Sequence, residues 1–296
     1  MTKLAIIIPY YKQAFFKEAL LSIKNQTDSR YRLYIGNDNS PSAPDEIIND
    51  IFGDSKIVSY KKFDDNLGAL QLTQQWQRCI DMSQEPYVWL FSDDDIMPPD
   101  SVERFYRFIE AEPQADLVRF DMHIIDDNGL VISYISHYPL HETAAEFTKR
   151  RMRGQCISAA CEYIFTRAVY LRQGGFENFP VGWASDDATW IKFGTQTGIY
   201  TIPGQPVLWR FGNVSISSDT KNKAEKTKAA LMFVKFVRDT GYADKQLQLY
   251  WLFLQLRVLK YPIALRVKFF FNLISIKMFS FIDIVKFAGN LIVKSI

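Results

Sequence analysis

The strongest constraint on the fold is an alternation, over the first 120 residues, of short apolar runs with amphipathic stretches. Runs at 4–8, 33–35, 57–60 and 87–91 read as strands. Between the first two, Phe16, Ala19, Leu20 and Ile23 recur at helical spacing. Between the last two, Leu70, Thr73, Trp76, Gln77 and Ile80 do the same, with Leu72 and Cys79 widening the stripe. Strands that alternate with helices need crossover connections, which predicts an α/β fold with a mainly parallel sheet flanked by helices. Ligands of such sheets bind beyond the carboxyl ends of the strands.

The residues at those ends share a character. Pro9, Tyr10 and Tyr11 follow the first run, and Gly36, Asn37, Asp38, Asn39 and Ser40 the second. Asp64, Asp65, Asn66, Leu67 and Gly68 come after the third, and Ser92, Asp93, Asp94 and Asp95 after the fourth. One such ending is ordinary turn chemistry. Four at the same edge predict a shared crevice. Residues 98–110 are predicted as a helix, with Asp100 and Glu103 spaced as a capping box. A strand over 116–120 follows, and Asp126, Asp127, Asn128 and Gly129 mark a hairpin turn.

Asp93-Asp94-Asp95 is the most informative group. Three adjacent carboxylates repel one another, and the run before them is apolar enough to be buried. Acids grouped there cost stability unless a cation compensates, and oxygen ligands of this kind suit Mg²⁺ or Mn²⁺. A nucleotide diphosphate needs the same ion as its bridging bond breaks. The alternative is a solvated acidic turn ahead of Asp100.

Charge is unevenly spread. Residues 1–220 carry 21 Lys and Arg against 29 Asp and Glu, whereas the last 76 residues carry 14 against 4. An acidic front and a basic back fit a catalytic domain joined to a part that meets an anionic surface, or two halves that match each other. Cys79, Cys156 and Cys161 form no CxxC pattern, which speaks against a disulfide framework or zinc site and suits a reducing compartment. The first residues lack the basic start and long apolar core of a signal peptide, so a cytoplasmic location is expected. His123, His137 and His141 have no ligand spacing.

The segments at 6–12 (IIIPYYK), 36–40 (GNDNS), 65–68 (DNLG), 91–95 (FSDDD), 174–178 (GGFEN) and 183–194 (WASDDATWIKFG) together resemble family-2 glycosyltransferases of the GT-A fold, in the family's order. The resemblance spans roughly 3–215. It implies a GT-A (Rossmann-like) domain over 1–220, a nucleotide-sugar donor, usually a UDP-sugar, and a glycan or lipid-linked acceptor. A hexosyl- or N-acetylhexosaminyltransferase of surface polysaccharide synthesis is the implied activity, with no nucleic-acid partner. Pro9, Tyr10 and Tyr11 would line the base pocket, Asp38 would contact the base, and Asn66 and Gly68 would lie near the donor. The triplet corresponds to the DXD signature. Asp93 would meet ribose or metal, Asp95 would coordinate the metal, and Asp94 stands in the middle position, which commonly points away. Gly174, Gly175 and Phe176 match a turn that supports the acceptor side. Asp186 falls at the position of the general base, which takes the acceptor's proton in an inverting displacement; without the resemblance, an N-cap is an equal reading.

Three departures stand out. Ser185 replaces a usual Glu, leaving Asp187 as the other candidate base. The segment at 72–76 lacks an Arg-Asn pair common in relatives. Phe211, Gly212 and Asn213 stand where many relatives have a metal-holding His, while Arg210 remains a candidate phosphate or carboxylate partner.

Residues 221–296 fall outside the resemblance and read as a basic, aromatic-rich amphipathic helical region. The longest uncharged apolar run, 246–256, has 11 residues, short of the roughly 20 that span a bilayer. Past Pro262, at about 100° per residue, Lys268, Asn272, Ser275, Asp283, Lys286 and Asn290 fall within about 80° of one another, with Lys277 and Phe279 off the pattern. Such a helix predicts peripheral contact with the inner face of the cell membrane; docking on the catalytic domain or dimerisation is the alternative. Two other functions compete. A sugar nucleotidyltransferase needs a Gly-rich basic loop after the first strand, which Pro9-Tyr10-Tyr11-Lys12 does not supply. An inactive sugar-binding scaffold is opposed by the intact acids at 93, 95, 186 and 187.

Overall fold

A computed structural model describes residues 2–134, 138–212 and 222–293; His137 and Asn213 lie outside the described residues. The strands are β1 (Leu4–Tyr10), β2 (Tyr31–Asn37), β3 (Val58–Lys62), β4 (Tyr87–Leu90), β5 (Leu117–Ile125), β6 (Val131–Tyr134), β7 (His141–Glu142), β8 (Tyr163–Thr166) and β9 (Ile199–Arg210). The helices before residue 200 are α1 (Phe16–Lys24), α2 (Asp45–Phe52), α3 (Leu72–Ile80), α4 (Ser101–Ala111), α5 (Ala144–Met152), α6 (Arg167–Arg172) and α7 (Ser185–Phe193). Four more follow: α8 (Lys223–Thr240), α9 (Lys245–Val258), α10 (Ile263–Ser275) and α11 (Phe281–Val293).

One sheet runs in the order β3-β2-β1-β4-β8-β5-β9-β7, with β6 paired to β5. β1 to β4 are mutually parallel, β8 is antiparallel to both of its neighbours, and β5 and β9 are again parallel. The strand order reverses between β1 and β4, which makes their carboxyl ends the expected binding crevice. β1 is almost wholly buried, as a strand covered on both faces must be. It continues through Pro9 to Tyr10. Pairing with β4 ends at Ile7, so beyond it only β2 lies alongside and the missing N–H of Pro9 is tolerated.

Phe16, Ala19, Leu20 and Ile23 are the buried face of α1, as their spacing predicts. The stripe of α3 is narrower than expected. Leu70 and Gln77 are exposed, and the helix buries Thr73, Gln75, Cys79 and Ile80. Gln75 goes inside because its amide donates to the Gly36 carbonyl at 2.9 Å. Gly36 is required here: a Cβ would stand 2.3 Å from Cys79 Sγ. The capping box expected at α4 does not form, since Asp100 caps nothing with its side chain and Glu103 turns to Thr27 and Arg107. Thr143 and Glu146 make the capping box of α5 instead. The hairpin turn at 126–129 forms, with Gly129 at φ +79°.

The C-terminal region divides in two. α8 and α9 bury Ala229, Phe233, Val237, Leu249, Trp251 and Leu252 in the same hydrophobic cluster as Trp190 and Phe193 of α7. These two helices thus pack against the domain expected over 1–220. The single helical phase drawn past Pro262 does not hold. Helix α10 ends at Ser275, Lys277 takes φ +56°, and Ser280 caps α11 with Asp283 in reciprocal hydrogen bonds. Lys277 and Phe279, the residues off the pattern, lie in that break, with Phe279 buried. Among the described residues no helix is long and apolar enough to cross a membrane.

Candidate active site

A cavity of about 740 Å³ opens at the carboxyl ends of the central strands. Its lining brings together Pro9, Tyr10, Tyr11, Asp38, Asn66 and Gly68 with Asp93, Asp94 and Asp95, and also with Arg210, Asp186 and Asp187. The GGF turn is not part of that lining. Gly174 and Gly175 adopt positive φ, and Phe176 packs against Trp76, Phe165 and Trp190.

On the β1–β2 side the two tyrosines separate. Tyr10 is buried against Phe16 and donates its hydroxyl to the Ser42 carbonyl at 2.9 Å; burial pushes its pKa up to about 12. Tyr11 is 45% exposed, so its ring is the one available to a ligand. Asp38 braces a loop. Its carboxylate accepts the N–H groups of Leu67 and Gly68 at 2.8 and 3.0 Å and Arg78 Nη2 at 2.5 Å, while its carbonyl accepts Asn66 Nδ2 at 2.6 Å. Arg78 was not singled out in the sequence; it comes from α3, 40 residues away, and also pairs with Asp65.

The triplet sits across the switch between β1 and β4. Asp93 Oδ2 accepts the N–H groups of Tyr11 and Lys12 at 2.8 and 2.7 Å, tying the β1 loop to the end of β4. Burial, then the neighbouring Asp94, raise Asp93 to about 7 against those two hydrogen bonds. Asp94 accepts the Ser92 hydroxyl at 2.6 Å. Asp95 accepts the Arg210 N–H at 2.8 Å and is held well above the usual carboxylate range by burial and by Asp94. The Arg210 guanidinium is committed to the protein: it donates to the carbonyls of Asp94 and Asp126, pairs with Glu18 at 2.7 Å, and lies over the Phe15 ring. Among the described residues no ion pair reaches 93–95. Three buried carboxylates without an ion pair among the described residues, with the Lys12 charge acting on Asp93, fit a divalent cation electrostatically. Yet no three-ligand cluster of His, Cys, Asp or Glu converges among the described residues, so a cation here would take its remaining ligands from a diphosphate and water. His123 bonds its neighbouring Met122 carbonyl and His141 the Thr197 carbonyl, neither on the cavity lining.

The second acidic pair begins α7. Ala184, in a left-handed conformation, stands at the N-cap, so Asp186 and Asp187 occupy the first turn, where the helix dipole favours negative charge. Asp187 is buried and pairs with Arg151 Nε at 2.7 Å. Asp186 is half-buried and has no ion pair among the described residues; burial, then Asp187, raise it to about 7, while Arg151 pulls it down. Arg151 belongs to the basic run at the end of α5, a signal in the sequence that pointed to no particular partner. Ser185 is wholly buried and accepts the Phe179 N–H at 2.9 Å, and Lys192 pairs with Glu177 at 2.7 Å.

A family model described as Glycosyl transferase family 2 matches residues 5–173. The chain belongs to this family. An uncharacterized glycosyltransferase of Methanocaldococcus jannaschii is 26% identical over 122 residues, a match covering 40% of this chain and 41% of that protein. The chain thus spans less than half of that relative's length. Among solved structures, residues 1–349 of S. aureus TarS in complex with UDP-GlcNAc align with a TM-score of 0.67 at 14% identity, over 84% of this chain and 71% of that one. A longer TarS structure aligns at 0.60 and 12% identity, over 84% and 52%. The likeness establishes the GT-A fold of the family-2 chain, including the mostly parallel sheet and its flanking helices.

Proposed function

We propose that this family-2 protein transfers a sugar from a nucleotide-sugar donor to an acceptor hydroxyl in one inverting displacement, with Asp186 as general base. The observation that carries the reading is a single cavity lined by both the strand-end acids and the acids that open α7. Asp187 is tied to Arg151, whereas Asp186 faces the same cavity without an ion pair and near neutral pKa, the range in which a base works best. The acceptor hydroxyl gives its proton to Asp186 as its oxygen bonds to the anomeric carbon. The bond from that carbon to the diphosphate breaks, and the nucleoside diphosphate leaves with the electron pair.

The donor's base falls to Pro9 and the exposed ring of Tyr11, beside the loop of Asn66 and Gly68 that Asp38 holds in place. UDP is the favoured nucleotide, in keeping with the UDP-GlcNAc bound by TarS. Asp93 and Asp95 would hold Mn²⁺ or Mg²⁺, which when bound neutralises charge on the departing diphosphate. The acceptor is a glycan or lipid-linked sugar of surface polysaccharide synthesis, met at the inner face of the membrane. That last step rests on α10 and α11, which leave Ile263, Leu265, Val267, Phe271, Phe281 and Ile282 exposed beside Lys268 and Lys286. Deleting residues 262–296 is expected to release the protein from anionic liposomes; retention there sinks the membrane assignment.

Calorimetric titration of UDP, GDP and dTDP, each with Mn²⁺ and with EDTA, tests the donor site. Binding of one nucleotide that depends on the metal is the expected result. Folded protein that binds none of the three overturns the proposal and leaves a scaffold.

A further inference from the structure

The family match ends at residue 173, yet a helix far beyond it lines the cavity. α9 contributes Trp251, Gln255 and Val258, spaced four and three residues apart and hence stacked on one helical face. The first two carry hydrogen-bond donors that nothing among the described residues receives. Trp251 is buried, and its indole N–H makes no hydrogen bond. The Gln255 amide is oriented by Trp183, whose Nε1–H donates to Gln255 Oε1 at 3.0 Å. An N–H can only meet the oxygen, so the amide nitrogen is the other end, and it has no partner among the described residues. A buried donor left unpaired, as at Trp251, is costly in a native fold, and together with the unengaged Gln255 amide nitrogen on the same cavity wall it points to an acceptor-rich occupant.

Trp183 supplies a complementary surface. Its ring is half-buried, with the Lys226 ammonium 4.6 Å from its centroid, and it lies three residues ahead of Asp186 in the turn that leads into α7. A pyranose offers both features at once: oxygens around its edge to accept N–H groups, and C–H faces that pack on an aromatic ring. A lipid chain offers only the second.

We infer that Trp183, Trp251 and Gln255 form a subsite for a pyranose unit of the acceptor, built by a helix outside the family-matched stretch. The inference rests on the sugar-transfer reading above. It assigns the sugar to the acceptor because the base must reach the acceptor hydroxyl, and Trp183 shares a turn with that base. The strand ends on the β1–β2 side remain for the nucleotide.

The test uses the full chain and needs no turnover. Methyl β-glycosides of glucose, galactose, N-acetylglucosamine and N-acetylgalactosamine are titrated by saturation-transfer NMR, with UDP and Mn²⁺ titrated calorimetrically on the same samples. Trp251→Phe keeps the ring and removes the donor. Gln255→Glu keeps the acceptor for Trp183 and removes both amide donors. Each variant is expected to weaken the glycoside that the parent protein prefers by about tenfold, one hydrogen bond's worth, with UDP affinity unmoved. A parent protein that binds none of the four glycosides overturns the subsite, as does equal binding by parent and Trp251→Phe, the variant of near-native volume. Failure of UDP to bind counts against the sugar-transfer reading instead, so the two failures are read on separate axes.

Discussion

Two rows of adjacent acids meet at the cavity, and they are held in different ways. At 93–95 Asp93 and Asp95 are positioned by backbone N–H groups from Tyr11, Lys12 and Arg210, and Asp94 by the Ser92 hydroxyl, with no cationic side chain paired to them among the described residues. At 186–187 one carboxylate is paired with Arg151 and the other has no salt bridge among the described residues. Backbone N–H groups favour the ionised acid through hydrogen bonds alone, whereas a guanidinium adds a net positive charge. In the proposed function the first row would receive a cation and the second would supply the base, so similar composition would serve different chemistry through different partners.

The contrast can be broken most sharply at Asp186. Asp186→Asn is expected to cut transfer by about 10²–10⁴-fold, the usual range for a positioned base, with UDP affinity retained in calorimetry. Unchanged transfer would remove Asp186 from that role. Next in size is Arg151→Met, which leaves Asp187 as an uncompensated buried charge. A loss of about 3 kcal/mol in urea unfolding is expected, at the lower end for breaking a buried pair because Arg151 is 21% exposed. Stability equal to the parent's would mean that Asp187 simply takes up a proton.

Asp95→Ala tests the other row. The ratio of UDP affinity in Mn²⁺ to that in EDTA is expected to fall about tenfold, and taking a ratio cancels any general effect on the fold. An unaltered ratio places the cation elsewhere. The smallest effect is on pH. A base must be unprotonated, so transfer should rise with pH and level off above about 7, following Asp186. Arg151 pulls that group down, so Arg151→Met should move the rising limb to higher pH. A limb that stays in place would separate the two acids electrostatically.

Much of the architecture was legible before any coordinates. The apolar runs were the cores of the strands, and α1 buries the four residues its spacing selects, because periodicity reports directly on which face meets the core. Charged spacing was less informative. Asp100 and Glu103 have the pattern of a capping box, but Glu103 finds Thr27 and Arg107 closer to hand. The C-terminal helices illustrate the same limit on a larger scale. All four are rich in apolar and aromatic residues, yet α8 and α9 are part of the core whereas α10 and α11 leave much of their apolar surface outside. Hydrophobicity says that a face must be covered and is silent on what covers it.

By itself the sequence determined the strand runs of the first 120 residues with α1, α3 and α4, the polar residues at the strand ends, and the two acidic rows with their family resemblance. All of these depend on neighbours within a few positions along the chain. Tertiary structure decided that Tyr11 and not Tyr10 shows its ring, that Arg78 braces Asp38, that Arg151 chooses Asp187, and that α9 reaches the cavity. Those outcomes depend on burial and on charges tens of residues apart in the chain. Desolvation and ion pairing exist only once the distant segments have packed together.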